Sequence, residues 1–530
     1  LYIDLDKVKK KYEGLDGTEL AISESQERMA VVVDENDAKA FISYADEENL
    51  EATVVAAVTD DNRLRMVWRN KTIVNISRAF LQTNGIQQHV NVKITAPDEK
   101  NAYFARLPKL NCGKNAVEKF WLENLQDLNV CNQKGLVEQF DSTVGAGTIL
   151  MPYGGFTQRT PAEGMAAKLP VLGGDTDTST LMSFGFDPYF MEWSPYHGAI
   201  YAVTAALAKI AAMGGDFTRA RLTFQEYFES LGKDPVKWGK PFAALLGALR
   251  AQHEFGTAAI GGKDSMSGTF MDLTVPPSLI AFAVCPVLSE NVISSEFKLA
   301  GNKVYVLPLE KDKNDLPIFA KLKKNFAVVH KLVKERKIFS AMSVGKGGIA
   351  AAVSKMCLGE NIGFKFTADT AYDIPKMFGS AYGTLIIEVS KNITLAELQD
   401  TNFYLLGETS STPSIVYGDV VIALDNIAKA FDAPLENIFP TQVKALLKRD
   451  ENKFERFDPS IGFEAEKMFA DTSTNISFAS NRNFSKTISL FYKTKSTIKR
   501  IAPIARPKIF IPVFPGTNCE YESAAAFQRA

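Results

Sequence analysis

The sequence predicts a mixed α+β and α/β chain in which one lobe occurs twice. Three features predict it: strand-length apolar runs near both ends, two short stretches that recur at almost the same offset, and a middle third in which long helices of small residues lead into a glycine-rich loop between strands. A length of 530 residues suggests roughly three or four domains. With 46% hydrophobic residues, 23% charged residues and a formal net charge of -1, the composition is that of an ordinary globular protein and gives no support to nucleic acid or a membrane surface as a partner. The longest apolar stretch, 199–215, is interrupted by Lys209 and falls short of the roughly 20 residues a bilayer needs. Five cysteines are scattered without a CxxC pair, which indicates neither a disulfide framework nor a zinc site and fits a reducing, cytoplasmic setting.

Taken in order, residues 1–95 open on a charged, helix-like stretch and continue into a strand at 29–33. A helix near 35–44, a strand at 52–58 and a hairpin around Asp60, Asp61 and Asn62 follow. The cluster Glu24, Ser25, Gln26, Glu27 and Arg28 gathers donors and acceptors just before a strand, where a small polar ligand could be read; an exposed loop has the same composition. The segment 54–59 parallels 404–409, and 76–80 parallels 427–431, with one inserted residue between them. Each block has a strand, a turn, a second strand and an amphipathic closing segment, as two copies of one lobe would.

Residues 96–140 read as a linker with a helix near 115–128. Asp175 and Asp177 then sit in a Gly-Gly-Asp-Thr-Asp-Thr-Ser run after a short strand at 171–172, a metal or nucleotide edge on one reading and an Asx-turn cluster on the other. A helix at 196–213 carries Lys209 as its sole charge and is closed by Gly214 and Gly215. A second helix at 238–255, opened near Pro241 and closed by Gly256, delivers the chain to the stretch FGTAAIGGKDSMSGTF at 255–270.

That stretch is the centre of the chain's chemistry. Gly261 and Gly262 let backbone N–H groups approach an anion, Lys263 supplies a cation, Ser265 and Ser267 supply hydroxyls, and Asp264 can hold a divalent metal. It is not the P-loop, which needs four residues between its first glycine and Gly-Lys and a helix directly after. A solvated Gly-Lys-Asp turn remains the plain alternative.

Residues 301–450 hold the second copy of the lobe, preceded by a glycine-rich turn at 343–348 that runs into a helix at 349–356 and could seat an anion or simply start the helix. Residues 450–505 read as a solvated linker, and a new strand, turn and helix start begin near Lys508.

Together GGKDSMSGTF, LTVPPSLIAFAV, SESQERM, the duplicated lobe and FIPVFPGTNCEYESAAAF resemble the phosphoribosylformylglycinamidine synthase family, the formylglycinamide ribonucleotide amidotransferases of purine biosynthesis, in their large fused type. The resemblance implies duplicated aminoimidazole-ribonucleotide-synthetase-like lobes: 1–95 as the end of a first C-terminal-type lobe, 96–140 as a linker and helix, 141–290 as a second ATP-binding-type lobe and 300–450 as its C-terminal-type partner. It further implies a linker at 451–506 and the first strand of a class I glutaminase α/β domain at 507–530, so that the chain is an internal fragment. The implied reaction is an ATP- and magnesium-dependent ligation. ATP phosphorylates the amide oxygen of the ribonucleotide, and glutamine-derived ammonia from the fused glutaminase displaces phosphate to leave the amidine.

Carried onto this sequence, the resemblance implies substrate contacts at Glu24, Ser25, Gln26 and Ser265, nucleotide contacts at Gly262, Lys263, Asp264, Ser267 and Lys209, and a metal at Asp264 with Asp175 and Asp177 as further candidate ligands. No catalytic residue is expected within the chain: the histidine-bearing ATP lobe is expected before Leu1, and Cys519 is not on the elbow that carries the glutaminase nucleophile. Two departures stand out. The family's Asp-x-Ser-Asp-Gly-Gly turn keeps only its glycines at 343–348, and its helical Glu and Asn metal ligands appear as Ala205 and Lys209, so that an ammonium would replace the metal and reach a phosphate or Asp264. Two other functions compete: a non-catalytic scaffold half with a degenerate nucleotide site, and a small-molecule kinase of the same superfamily, such as thiamine-phosphate kinase.

Overall fold

A computed structural model describes residues 1–10, 14–23, 28–48, 50–82, 89–106, 114–140, 147–171, 174–368, 374–391, 393–441, 510–511 and 523–524. The chain divides into two units, Leu1–Gln442 and Val443–Ala530. Nearly all of the second unit, including the expected linker at 451–506 and most of the expected glutaminase strand, lies outside the described residues.

Three sheets organise the first unit. The first has four strands in the order Ala56–Ala57, Tyr2–Asp4, Arg63–Trp68, Lys71–Ser77. The charged opening of the chain starts as a strand, Tyr2–Asp4, which pairs in parallel with Arg65, Met66 and Val67, and turns helical only at Leu5–Lys7 and again at Gly17–Ile22. The hairpin also turns later than Asp60–Asn62. Its tip is Arg69 and Asn70, both at positive φ, the pair of left-handed residues a two-residue hairpin loop requires. The expected helix at 35–44 is Ala38–Glu47.

The expected strand at 29–33 does not form, and Met29 and Val32 are 93% and 79% exposed. The physical reason is visible in the second copy of the lobe. There, the strand Leu385–Val389 is buried throughout because Ile338–Ser343 flanks it on one side and Lys303–Leu307 on the other. Among the described residues of the first sheet no such neighbours exist, and an apolar run without partners on either side has no ladder to join.

The second sheet has six strands in the order Ala259–Lys263, Arg221–Tyr227, Ser278–Leu288, Thr178–Gly185, Met165–Lys168, Thr148–Leu150. One face is covered by the helices Pro195–Ala212 and Pro235–Phe255. Ser194 caps the first through its side chain, which accepts from the His197 N–H, and Pro195 takes the first helical position. Gly214 ends it at φ +92, where a Cβ would come within 2.1 Å of the Asn291 carbonyl oxygen. The second helix opens at Asp234 and Pro235, earlier than Pro241, which is buried inside it.

The third sheet has seven strands, with Leu385–Val389 and Lys303–Leu307 among its inner members. Its two faces belong to two cores. Tyr305, Leu307, Leu385 and Ile387 join the helices of the second sheet and the helix Phe319–Lys334, whereas Val304, Val306 and Ile386 join Gly348–Leu358, Leu424–Asp432 and the helix Lys114–Leu125. Trp121, almost fully buried, donates through its indole to Ser354 Oγ at 2.9 Å, so the helix expected within a linker is a packed part of this core. A strand buried on both faces reads as a nearly continuous apolar run, as LIIEV does. Its one charge, Glu388, is fully buried and accepts from Lys298 N–H, Leu299 N–H, Asn302 Nδ2 and Ser340 Oγ, which satisfies both carboxylate oxygens.

The two copies share an order of elements. Ala56–Ala57, Arg63–Trp68, Lys71–Ser77 and the helix Arg78–Gln82 correspond to Tyr404–Ser410, Ser414–Tyr417, Val420–Ala423 and the helix Leu424–Asp432. No helix among the described residues is long and apolar enough to cross a membrane.

Candidate functional site

The strand Ala259–Lys263 lies at the edge of the six-stranded sheet and pairs in parallel with Arg221–Tyr227, placing Gly262 beside Phe224 and Lys263 beside Gln225. Parallel neighbours need a crossover, and the helix Pro235–Phe255 supplies it, ended by Gly256 at φ +71. Beyond Lys263 the chain leaves the ladder and is pinned against the end of the neighbouring strand. Ser265 N–H donates to Glu226 O at 3.1 Å, Phe228 N–H to Ser265 O at 2.9 Å and Gly268 N–H to Phe228 O at 2.9 Å.

This local course opens a groove of about 560 Å³. Gly261, Gly262, Lys263, Asp264 and Met266 line one side, and Phe224, Glu226, Trp238, Phe242, Leu245, Val90 and Val92 line the rest. Gly262 is required by close packing, since a Cβ there would come within 2.4 Å of the Phe224 carbonyl oxygen, whereas Gly261 faces open space. The exposed Lys263 has no ion-pair partner among the described residues. Ser265 Oγ and Ser267 Oγ hydrogen-bond to each other at 2.8 Å.

Glu226 is the residue that sequence reasoning missed. Its carboxyl is pushed up to about 7, first by burial among the apolar groove walls and then by the charge of Asp264. Glu226 therefore keeps its proton up to near neutrality. The signal in the sequence was slight: an acid in a strand whose side chains otherwise alternate toward the core.

Of the other expected residues, Asp175 is exposed and paired with Lys168 Nζ at 2.9 Å, which holds its carboxyl below the usual range. Asp177 contributes its backbone carbonyl to Ser289. Neither lines the groove with Asp264, and among the described residues no three His, Cys, Asp or Glu side chains converge. Lys209 lies elsewhere, its Nζ 4.3 Å from the centre of the Phe184 ring and its charge facing Glu163, not Asp264. Glu24, Ser25 and Gln26 lie outside the described residues, as does Cys519.

With this geometry in hand, comparison with known proteins decides the relationship. Residues 1–69 match the family described as AIR synthase related protein, C-terminal domain. The phosphoribosylformylglycinamidine synthase subunit PurL of Picrophilus torridus is 23% identical over 415 residues, covering 73% of this chain and 52% of the relative, and that of Thermoplasma acidophilum is 24% identical over 482 residues, covering 82% and 59%. The chain is a relative of phosphoribosylformylglycinamidine synthase.

Solved structures of Thermotoga maritima PurL share its fold. The form complexed with FGAR superposes with a TM-score of 0.52 at 18% identity, covering 77% of this chain and 57% of that one, and the form complexed with ATP gives 0.51 at 17%, covering 77% and 59%. This chain thus spans between half and three-fifths of the length of these PurL relatives.

Proposed function

We propose that this chain is part of an ATP-dependent carbon–nitrogen ligase of purine biosynthesis, which converts formylglycinamide ribonucleotide, ATP and glutamine-derived ammonia to the amidine. The observation that carries this reading is the groove, where an unpaired Lys263, two glycines and two carboxylates face one space beside apolar walls. The names of the PurL relatives and the FGAR and ATP bound to the Thermotoga maritima protein support the same reading.

Each part of the groove has a task in it. Gly261 and Gly262 bring backbone close to phosphate oxygens, and Lys263 neutralises their charge. Trp238, Phe242 and Leu245 exclude water and thereby strengthen those contacts. Asp264 and Glu226 fit a magnesium ion that keeps most of its ligands from phosphate and water, since such ions take one or two carboxylates; bound there, it would supply charge neutralisation on the phosphates. Ser265 with Glu24, Ser25 and Gln26 would hold the ribonucleotide. The ammonia is assigned to a fused glutaminase domain beginning near residue 507, the whole protein to the cytoplasm, and neither nucleic acid nor membrane to its partners.

The test is steady-state kinetics of the complete enzyme with ammonium chloride as nitrogen donor. Lys263→Met is expected to weaken ATP use by roughly tenfold or more, as the loss of a charge-assisted contact does. Gln26→Ala should raise the KM for the ribonucleotide several-fold while leaving that for ATP in place. Unchanged kinetics in Lys263→Met would overturn the assignment of the groove. The isolated 530-residue chain is expected to form no amidine.

A further inference from the structure

A second cavity lies apart from the groove, and its wall holds a carboxylate that the chain leaves half satisfied. The short hairpin of Tyr153–Gly154 and Thr160–Pro161 is bonded to the C-terminal end of the helix Gly348–Leu358. Thr157 Oγ1 donates to Leu358 O at 2.7 Å and Thr157 N–H to Gly359 O at 2.9 Å, while Thr160 Oγ1 donates to Lys355 O and accepts from Gly359 N–H at 2.9 Å. This hairpin, the strand before it and the segment 294–296 line a cavity of about 230 Å³. A single water takes up about 30 Å³ in the liquid, so the space suits a molecule of several heavy atoms.

Glu296 enters the wall of this cavity between two glycines. A Cβ on Gly154 would come within 2.4 Å of Glu296 Oε2, and one on Gly359 within 2.6 Å of Glu296 Cβ, so both positions have to stay bare for the carboxylate to sit there. Its Oε1 accepts from Ser294 Oγ at 2.7 Å and from Lys298 Nζ. Its Oε2 is buried and has no hydrogen-bond partner among the described residues. Ser295, 3% exposed and on the same wall, likewise has no partner for its hydroxyl among the described residues. Buried polar atoms are nearly always satisfied, and two unsatisfied ones on adjacent residues lining one cavity call for a donor brought from outside the chain.

We propose that this cavity binds a primary alkylammonium, its N–H groups on Glu296 Oε2 and Ser295 Oγ and its stem along Ile149, Leu150, Met151 and Ala162. An ammonium has three donors and no acceptor, which matches two bare acceptors. A positive charge is favoured over a neutral donor because the site stands at the negative end of the helix Gly348–Leu358. The lysines around the cavity do not fill this role. Lys298 occupies the other carboxylate oxygen, and Lys134, which donates to Gln158 O, lies 3.6 Å from Glu138. The inference stands apart from the groove, since none of these residues lines it.

The experiment is isothermal titration of the 530-residue chain with n-butylammonium, tetramethylammonium and n-butanol. The first offers charge, N–H donors and a stem, the second charge without donors, and the third a stem without charge. Wild type is expected to bind n-butylammonium and to bind the other two roughly tenfold more weakly or less, the worth of a charge-assisted contact. Glu296→Gln should weaken n-butylammonium binding roughly tenfold and Ser295→Ala several-fold. Ala162→Leu, which fills the apolar part of the cavity and leaves the carboxylate in place, should abolish it. Should Glu296→Gln fail to fold, the two control probes and Ala162→Leu carry the test. No binding by wild type, equal affinity for n-butylammonium and either control probe, or unchanged affinity in Glu296→Gln or Ala162→Leu overturns the proposal.

Discussion

Tyr103 and Tyr382 donate to the same oxygen: both hydroxyls reach Asp187 Oδ2 at 2.5 Å, and the other carboxylate oxygen accepts from the Phe190 N–H at 3.0 Å. Burial raises both phenols well above their ordinary value, and the carboxylate raises them further, so both stay protonated as donors. The contact ties the segment around Tyr103 and the third sheet to the cap of the helix Pro188–Trp193. Hydrogen bonds to a charged acceptor are worth about 1.5–3 kcal/mol. Tyr103→Phe or Tyr382→Phe alone is therefore expected to cost about 1–2 kcal/mol in urea unfolding, because one donor remains. The double variant should cost more than the two added together, since it strips a buried carboxylate of both phenols; strict additivity would show that the two act separately.

Glu226 makes stability depend on pH in a defined window. Its carboxyl is raised to about 7 in the folded chain, above the roughly 4.3 of an unfolded glutamate. Folded protein therefore binds the proton more tightly, and stability is lost as pH rises from about 4.3 through 7. Glu226→Gln removes this loss. Its urea midpoint should match wild type near pH 4.5 and exceed it at pH 8 by the equivalent of about 1–3 kcal/mol. Parallel pH profiles for the two proteins would contradict the assignment.

The parts of the fold legible in the sequence are those that local chemistry specifies. The helix Pro195–Ala212 reads to within a residue or two because Ser194, Pro195 and Gly214 mark its ends. The start of Pro235–Phe255 was misplaced because Pro241 looks like a first-turn proline, while the Asp234 cap and Pro235 are the true beginning. The strand at 29–33 failed for a non-local reason, its dependence on neighbours on both sides. The site divides in the same way. Gly262, Lys263 and Asp264 are adjacent in the chain and read together in the sequence, although the strand Ala259–Lys263 takes in the first two where a loop is expected, whereas Glu226 joins them only through a parallel strand pairing across a helical crossover. Glu163 and Ser343 likewise meet only once two sequence-distant segments pack, which no spacing rule encodes.

Lys355 offers a stability test that is separate from ligand binding. Its ammonium is pushed down to about 8 from an ordinary 10.4, so the folded chain disfavours the charge. The cost is present in full below about pH 8 and fades as pH rises toward 10.4, where both states become neutral. Lys355→Met, which removes the charge at nearly constant length, should raise the melting temperature at pH 7 and do so progressively less between pH 8 and 10. A destabilised variant at pH 7 would show that the ammonium is already compensated within the chain.

Gly261 and Gly262 are neighbours in one edge strand, yet they should respond differently to the same methyl group. A Cβ on Gly261 meets nothing within 4 Å, while one on Gly262 comes within 2.4 Å of the Phe224 carbonyl oxygen and 3.2 Å of its nitrogen. Neither glycine has a positive φ, so the difference is one of space and not of backbone conformation. Relief at Gly262 requires the strand Ala259–Lys263 to move away from Arg221–Tyr227, and that movement carries Lys263 and Asp264 with it. Gly262→Ala is therefore expected to lower stability by about 1–3 kcal/mol, the usual cost of overpacking, and to weaken nucleotide binding in the groove. Gly261→Ala should be within about 0.5 kcal/mol of wild type, as substitutions into open space are. Urea unfolding and nucleotide titration on the two variants decide the matter, and an equal response would mean that the edge strand already stands off from its neighbour.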